Sequence, residues 1–379
     1  MELKFNKDNW EKVTLGDVVF EPKETAKDIS EEGLEHIVGL EHIESGDIHL
    51  RNSFSANTDT TFTKVFRHGD VLFGRRRAYL KKAAQATFDG ICSGDITVLR
   101  ANKKLDTRLL PFVIHNDKFF DYAIKHSAGG LSPRVKFKDL ANYEFLLPPK
   151  NQQAELADLL WAMDDVIEKD LSVLNKFEKF RRAKLNKFYN DNFPKLKLKD
   201  IANLRRGSFP QPYGNREWYD DINGSPFVQV NDIGFNFKLK EVTNFKISEK
   251  AKSQSVYVKQ NTIVISIQGS IGRVAITNFD SYVDRTIIIF SSYKKDVDIY
   301  FLSRVLKDLF EIKAKSARGA IIKTITKEEL NEFEIIFPDI VTQKKIGTVI
   351  LNFESLYDIL KSKLYSSKAL QKSLINQLF

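Results

Sequence analysis

"FLLPPKNQQAELADLL" occupies Phe145 to Leu160, and "IIFPDIVTQKKIGTVIL" occupies Ile335 to Leu351. Pro148 is answered by Pro338, Gln153 by Gln343, Leu156 by Ile346 and Leu160 by Ile350, each 190 residues on (338 − 148 = 190). The correspondence runs well outside this stretch. "VGLEHI" (Val38 to Ile43) lies over "VQVNDI" (Val228 to Ile233) at a shift of 190. "GDVLFG" (Gly69 to Gly74) lies over "QNTIVIS" (Gln260 to Ser266), and "TFDG" (Thr87 to Gly90) over "NFDS" (Asn278 to Ser281), both at 191. "WEKVTLGDV" (Trp10 to Val18) lies over "FPKLKLKDI" (Phe193 to Ile201) at 183. The order of signals is kept while the residues drift, and surface-loop insertions explain the small changes of shift. A period this long marks a duplicated domain with its connector, not a solenoid unit.

Each copy has a globular part and a long helix. The globular part carries strand-like runs such as "DVLFG", "DITVLR", "TIVISI" and "RTIIIF", bounded by Gly, Asn and Asp. Shorter helical stretches, "LLPFVIHNDKFFDYAI" and "DIYFLSRVLKDLFEI", interrupt them, which makes the class α+β. The helix of the first copy is expected to follow Pro148-Pro149 with Asn151 as its N-cap. Apolar residues then recur at three and four: Leu156, Leu160, Met163, Ile167, Leu171, Leu174. The second copy repeats this with Ile346, Ile350, Phe353, Tyr357, Leu360 and Leu364. Helices of roughly 38 to 40 residues would run about 55 to 60 Å. Such stripes exceed what one small globule covers, so the expected solution is an antiparallel coiled coil of the two helices with a pseudo-two-fold duplication. Leu160 and Ile350 are expected to share its seam. The expected division is 1–150 globular, 151–192 helix, 193–340 globular and 341–379 helix.

The bulk chemistry narrows the function. Of 379 residues, 59 are Lys or Arg and 50 are Asp or Glu, a formal charge of +9, which favours an anionic partner and most simply nucleic acid. Hydrophobic residues make up 42%, enough to build real cores. A single cysteine, Cys92, rules out an internal disulfide framework or a cysteine-based zinc site. The six histidines all precede residue 127 without metal-ligand spacing. The start, "MELKFNKDNW", has no apolar signal core, so a soluble, cytoplasmic protein is expected. Neither G-x-x-x-x-G-K-[ST] nor G-x-G-x-x-G occurs, and no catalytic constellation stands out. "GSIG" falls between two strand-like runs and reads as a hairpin turn.

Duplex DNA has the two-fold symmetry that an internally duplicated protein suits. In "FGRRRAYLKK", Arg75, Arg76, Arg77, Lys81 and Lys82 offer guanidinium forks and point charges. The matching "SIQGSIGR" offers Gln268, Ser270 and Arg273, with Gly269 and Gly272 permitting close approach. A second loop pair adds Ser127, Arg134 and Lys136, then Ser316, Arg318 and Lys323; Arg205 and Arg206 complete the candidates. Because the loops differ between copies, the target should be asymmetric.

At these residues the chain resembles the specificity subunit of a Type I restriction–modification enzyme. The resemblance is carried by "TLGD" (Thr14 to Asp17), the segment from Gly69 to Arg100, "GGLSPRVKFKDLANYEFLLPP" (Gly129 to Pro149) and the helix start "QQAELADLLWAMDDVI". The second copy departs from it, with Lys199 where Gly16 stands and no Ser-Pro matching Ser132-Pro133. The resemblance implies two target-recognition domains reading a bipartite site on double-stranded DNA, with the helices as spacer. It implies two methyltransferase subunits docked on the helices and motor-nuclease subunits joining them. It further implies that S-adenosylmethionine, ATP and magnesium serve those partners and that this chain catalyses nothing by itself. A free-standing DNA-binding adaptor, or the specificity subunit of a methylation-only system, stays open.

Overall fold

A computed structural model describes residues 6–26, 33–55, 58–189, 193–234, 237–316 and 324–379, with side chains excepted at 189 and 312–316. The chain divides into two compact units, Met1–Val173 with Lys361–Phe379, and Leu174–Leu360. The two long helices are Lys150–Tyr189 and Ile340–Leu378, and each is shared between the units.

The units are built to one plan. In the first, a sheet runs Val19–Phe20, Ile96–Ala101, Val71–Gly74, Ala83–Gln85, and a second runs Phe54–Ser55, His36–Val38, Gly90–Cys92, Lys64–Phe66. The second unit repeats both orders. One sheet runs Ala202–Arg206, Ile287–Tyr293, Ile263–Ser266, Val274–Ile276, Phe237–Lys238; the other runs Phe245–Ile247, Ser225–Val228, Ser281–Val283, Val256–Val258. Alternate faces of the strands bury a core of their own, with Val38, Phe66, Leu72 and Val98 in the first unit and Val228, Val264, Ile287 and Ile289 in the second. A short antiparallel pair, Glu11–Thr14 with Glu144–Leu147, brings the start of the first globule back to the foot of its helix. Lys195–Lys197 with Glu334–Ile336 does the same in the second.

The residues quoted first explain how each helix begins. Gln153 is buried; its Nε2 donates to Pro148 O at 2.9 Å, and its Oε1 accepts from the Asp106 N–H at 2.7 Å. Gln343 repeats this with Pro338 O at 2.8 Å and the Asp298 N–H at 3.1 Å. A buried amide bonded at both ends fixes the angle at which the helix leaves the sheet. The cap differs from expectation. The first helix starts at Lys150, so Asn151 lies inside its first turn and is exposed. In the second helix Asp339 caps, accepting from the Thr342 N–H at 3.0 Å and the Thr342 hydroxyl at 2.6 Å.

The helices pair antiparallel within each unit, but the apolar stripe is not one seam. In the first unit Leu156 and Leu160 join Leu374, Ile375 and Leu378 in the core beneath the globule, with Met163 packed against it. In the second, Leu185, Ile346 and Ile350 join Phe301 and Leu302, with Phe353 alongside. Leu160 and Ile350 therefore belong to separate apolar clusters. Ile167 and Leu174 are buried, whereas Tyr357 and Leu364 are half-buried. Buried carboxylates interrupt the stripe: Asp170 bonds Lys363 at 2.8 Å and Ser367 at 3.1 Å, and Glu354 bonds Arg181 at 2.9 Å. Burying an acid demands such a partner, and the period of apolar residues cannot reveal it. Among the described residues no helix is long and apolar enough to cross a membrane.

Candidate nucleic-acid interface

Three loops of the first unit are tied by their backbones. Beyond strand Val71–Gly74, the Arg75 N–H donates to Asp95 O at 3.0 Å, Arg75 O accepts from the Val135 N–H at 3.0 Å, and the Arg77 N–H donates to Pro133 O at 2.8 Å. Arg76 and Arg134 form a bridge, and Arg134 and Ala128 exchange two bonds of 2.9 Å. Arg77 takes the left-handed conformation at φ 55° and its side chain is exposed. Arg76 Nη1 reaches Asp95 Oδ2 at 3.1 Å, Arg76 Nη2 reaches Ser132 Oγ at 3.0 Å, and Arg134 Nε reaches Asp95 Oδ1 at 2.8 Å. Burial pushes the Asp95 carboxyl up, but the bonds from Arg134 and Arg76 outweigh it and hold the group below its ordinary range. The Nε atoms of Arg75 and Arg76 are buried without a partner among the described residues.

The second unit has the same ties. The Ile267 N–H donates to Thr286 O at 2.9 Å, and the Ile325 N–H to Ile267 O at 3.0 Å. Gln268 bridges Thr324, as Arg76 bridges Arg134. So Arg76, Asp95 and Arg134 of the first unit correspond to Gln268, Thr286 and Thr324 of the second. The "GSIG" segment is a hairpin turn, with Gly269 at φ 69° and Gly272 at φ 79°; a Cβ on Gly272 would meet the Phe310 side chain at 2.6 Å.

Not every sequence candidate lies in these loops. Lys81 (φ 49°) puts Nζ 2.8 Å from Asp117 Oδ1 and 5.8 Å from the Phe120 ring centroid. Burial raises the Asp117 carboxyl, yet Lys81, Asn376 and Lys372 bring it down to about 2. Lys82 Nζ donates to Leu40 O at 2.8 Å. Arg273, its counterpart, points Nη1 at Val230 O and Ile233 O, 3.5 Å from each. Both cations thus brace a hairpin against the turn after strand His36–Val38 or Ser225–Val228. The head groups of Lys81, Lys82 and Arg273 each have a partner inside the unit, which loop charge density could not anticipate.

Ser127 Oγ donates to Ala123 O at 2.8 Å, closing a helix end, so its hydroxyl is committed locally. Lys136 is exposed beside Arg134, and Ser270 is exposed in its turn. Arg205 and Arg206 are exposed on strand Ala202–Arg206, and Arg206 Nε donates to Arg285 O. Arg318 and Lys323 lie outside the described residues, as does the side chain of Ser316.

Asp95 and Ser132 were not among the sequence candidates; a lone Asp in "SGD" reads as a turn residue. The second unit holds another network of this kind. Tyr213 Oη donates to Asp284 Oδ2 at 2.7 Å and accepts from Gln229 Nε2 at 2.6 Å, with the Arg285 guanidinium 5.7 Å from the Tyr213 ring centroid. Among the described residues no group of three His, Cys, Asp or Glu could hold a metal ion. Cys92 is buried, its thiol pushed up to about 12 by desolvation.

Comparison with known proteins agrees with this duplicated plan. A putative type I restriction enzyme MjaX specificity subunit of Methanocaldococcus jannaschii is 24% identical over 345 residues, covering 82% of this chain and 77% of its own length. The type I restriction enzyme EcoDI specificity subunit of Escherichia coli is 32% identical over 116 residues, 30% of this chain and 26% of that one. The crystal structure of a Type-I restriction-modification system S subunit from M. genitalium matches 100% of this chain and 98% of its own with a TM-score of 0.64 at 17% identity, which is a likeness of fold. A family model described as Type I restriction modification DNA specificity domain matches twice, at residues 7–176 and 190–366. With that model matched in both halves, the chain belongs to the family of Type I restriction modification DNA specificity domains.

Proposed function

We propose that this chain is the specificity subunit of a Type I restriction–modification complex, non-catalytic by itself, which reads an asymmetric bipartite site on double-stranded DNA. One observation carries the reading: two units share a backbone frame yet place different side chains on its equivalent loops. The first unit offers Arg75, Arg76, Arg77, Arg134 and Lys136; the second offers Gln268, Ser270, Thr324, Arg205 and Arg206. Arginine suits guanine or phosphate, and amides and hydroxyls suit other base edges.

Two methyltransferase subunits dock on the long helices, and motor-nuclease subunits join that assembly in the cytoplasm. The exposed stripe Leu159, Val166 and Val173, one residue in seven, supports docking on the first unit's share of the helix. S-adenosylmethionine, ATP and magnesium belong to those partners; this chain has no phosphate-binding glycine loop to hold a nucleotide.

The test is co-expression with a Type I methyltransferase subunit followed by methylome sequencing. The expected result is a two-part methylated site, and exchange of residues 15–147 for those of a relative changes one part only. A continuous target, or change in both parts, overturns the reading.

A further inference from the structure

Asp95 is a carboxylate set among the loops that would face a polyanion. Beside phosphates an acid lowers affinity, so its presence there calls for a compensating task. Its geometry supplies one. Asp95 sits in the turn between strands Gly90–Cys92 and Ile96–Ala101, and its two oxygens hold guanidiniums from two other loops. Arg76 is committed at both ends, to Asp95 and to Ser132. Arg134 is held through Nε alone, its Nη groups form no hydrogen bond among the described residues, and its side chain is 47% exposed. A guanidinium gripped at Nε keeps the two-pronged Nη end that matches guanine O6 and N7.

The second unit shows that the frame does not require the carboxylate. With the same backbone bonds it places Thr286 at the Asp95 position and Thr324 at the Arg134 position. The Arg76–Asp95–Arg134 set is therefore an addition to the frame and not a condition of folding it.

We propose that Asp95 is a positioning residue that fixes the plane of Arg134 and presents its Nη pair to a guanine in the half-site read by the first unit. This rests on the DNA-reading function proposed above. Three neutral residues at the corresponding positions leave the second unit without such a buttressed fork, so its half-site owes nothing to this device.

The test is selection from a random-sequence duplex library by the full chain, its Asp95→Asn variant and its Arg134→Lys variant, with thermal melting of each. Asp95→Asn is isosteric, and Arg134→Lys keeps the charge at an exposed site while removing the fork. Each variant is expected to lose about tenfold preference at one guanine of one half-site and to keep every other position. Asp95→Asn binds unrelated duplexes as well as the parent or better, since a negative charge is gone. If Arg134→Lys loses that guanine and Asp95→Asn does not, the positioning role is wrong while DNA reading stands. If both halves degrade together with a lower melting temperature, the pair is structural and the proposal is overturned. If the unaltered chain enriches no sequence, the DNA-reading function fails and takes this proposal with it.

Discussion

The two units differ least where the backbone makes the contacts and most where side chains do. One side chain is kept as an exception: the amide that sets each helix, Gln153 or Gln343, bonds the proline carbonyl before it and a distant N–H in both units. The loop ties from Arg75 to Asp95 and Val135 match those from Ile267 to Thr286 and Ile325. On that common frame the first unit mounts an ionic cluster and the second mounts neutral groups, with an aromatic network around Tyr213 nearby. Main-chain hydrogen bonds are indifferent to side-chain identity, so a frame made of them survives exchange of everything it displays.

The sharpest way to break the comparison is a charge in each core. Leu160→Asp should cost the first unit at least about 4 kcal/mol and Ile350→Asp the second as much, because a buried aliphatic contact is lost and an unpaired carboxylate is left in its place. Trp10 and Trp161 report on the first unit, and Trp218 on the second. Denaturation followed at each set should shift mainly in the unit altered; an equal shift at both would mean that the units melt as one body.

Gln153→Leu and Gln343→Leu sharpen it. Gln153→Leu strands the carbonyls of Pro148 and Lys104 and the Asp106 N–H, and Gln343→Leu strands the Pro338 carbonyl and the Asp298 N–H. Each amounts to about 2 to 4 kcal/mol, with the Gln153 cost the larger. A loss in one unit without its match in the other would end the claim of equivalent helix entries.

For DNA the asymmetry should appear. Replacing Arg75, Arg76 and Arg77 together by Ala should weaken binding by about 1 to 3 kcal/mol for each base-reading arginine lost and flatten the salt dependence. Gln268→Ala should change sequence preference and leave the salt slope alone. Equal slopes for both variants would remove the distinction between a charged reader and a neutral one.

The smallest effect is a pH dependence confined to the first unit. His49 Nε2 lies 2.6 Å from Asp164 Oδ2, with Glu168 at 4.0 Å. The Asp164 bond raises His49 above its ordinary 6.5, and burial opposes it without prevailing. Folding therefore favours the imidazolium, a gain of about 1 kcal/mol or less. It is full below pH 6.5 and fades as pH rises through the higher folded-state value. His115 acts the other way: burial pushes it down to about 4, so its stabilisation fades as pH falls from 6.5 toward that value. The difference between the chain and its His49→Gln variant removes most of the His115 part, which burial dominates, and should shrink with rising pH. A difference constant with pH would show that the ion pair is not what His49 contributes.

The duplication, the α+β class and the two helices were legible because apolar period and turn chemistry act over short spans. The matched glutamines were visible as a repeat, but their role was not, since it depends on carbonyls that only the folded chain brings near. Charge density marked the arginine loop correctly as a cluster, yet it could not separate Arg134 from Lys82, whose nitrogen turns inward to Leu40 O. The direction of a cation is set by the φ and ψ of its own residue and by distant acceptors. Asp164, Asp170 and Glu354 were missed for a related reason: a buried acid in a helix looks like a solvated one until its partner is known.

The division of the chain into units carries a consequence for synthesis. The second unit is one continuous stretch, Leu174–Leu360, while the first also needs Lys361–Phe379, whose Leu374, Ile375 and Leu378 fill its core. Domains emerging from a ribosome usually mature from the N-terminal end. Here the order is reversed: the half translated later has all its parts first, and the half translated earlier waits, with an open apolar face, for the last turns of helix to arrive.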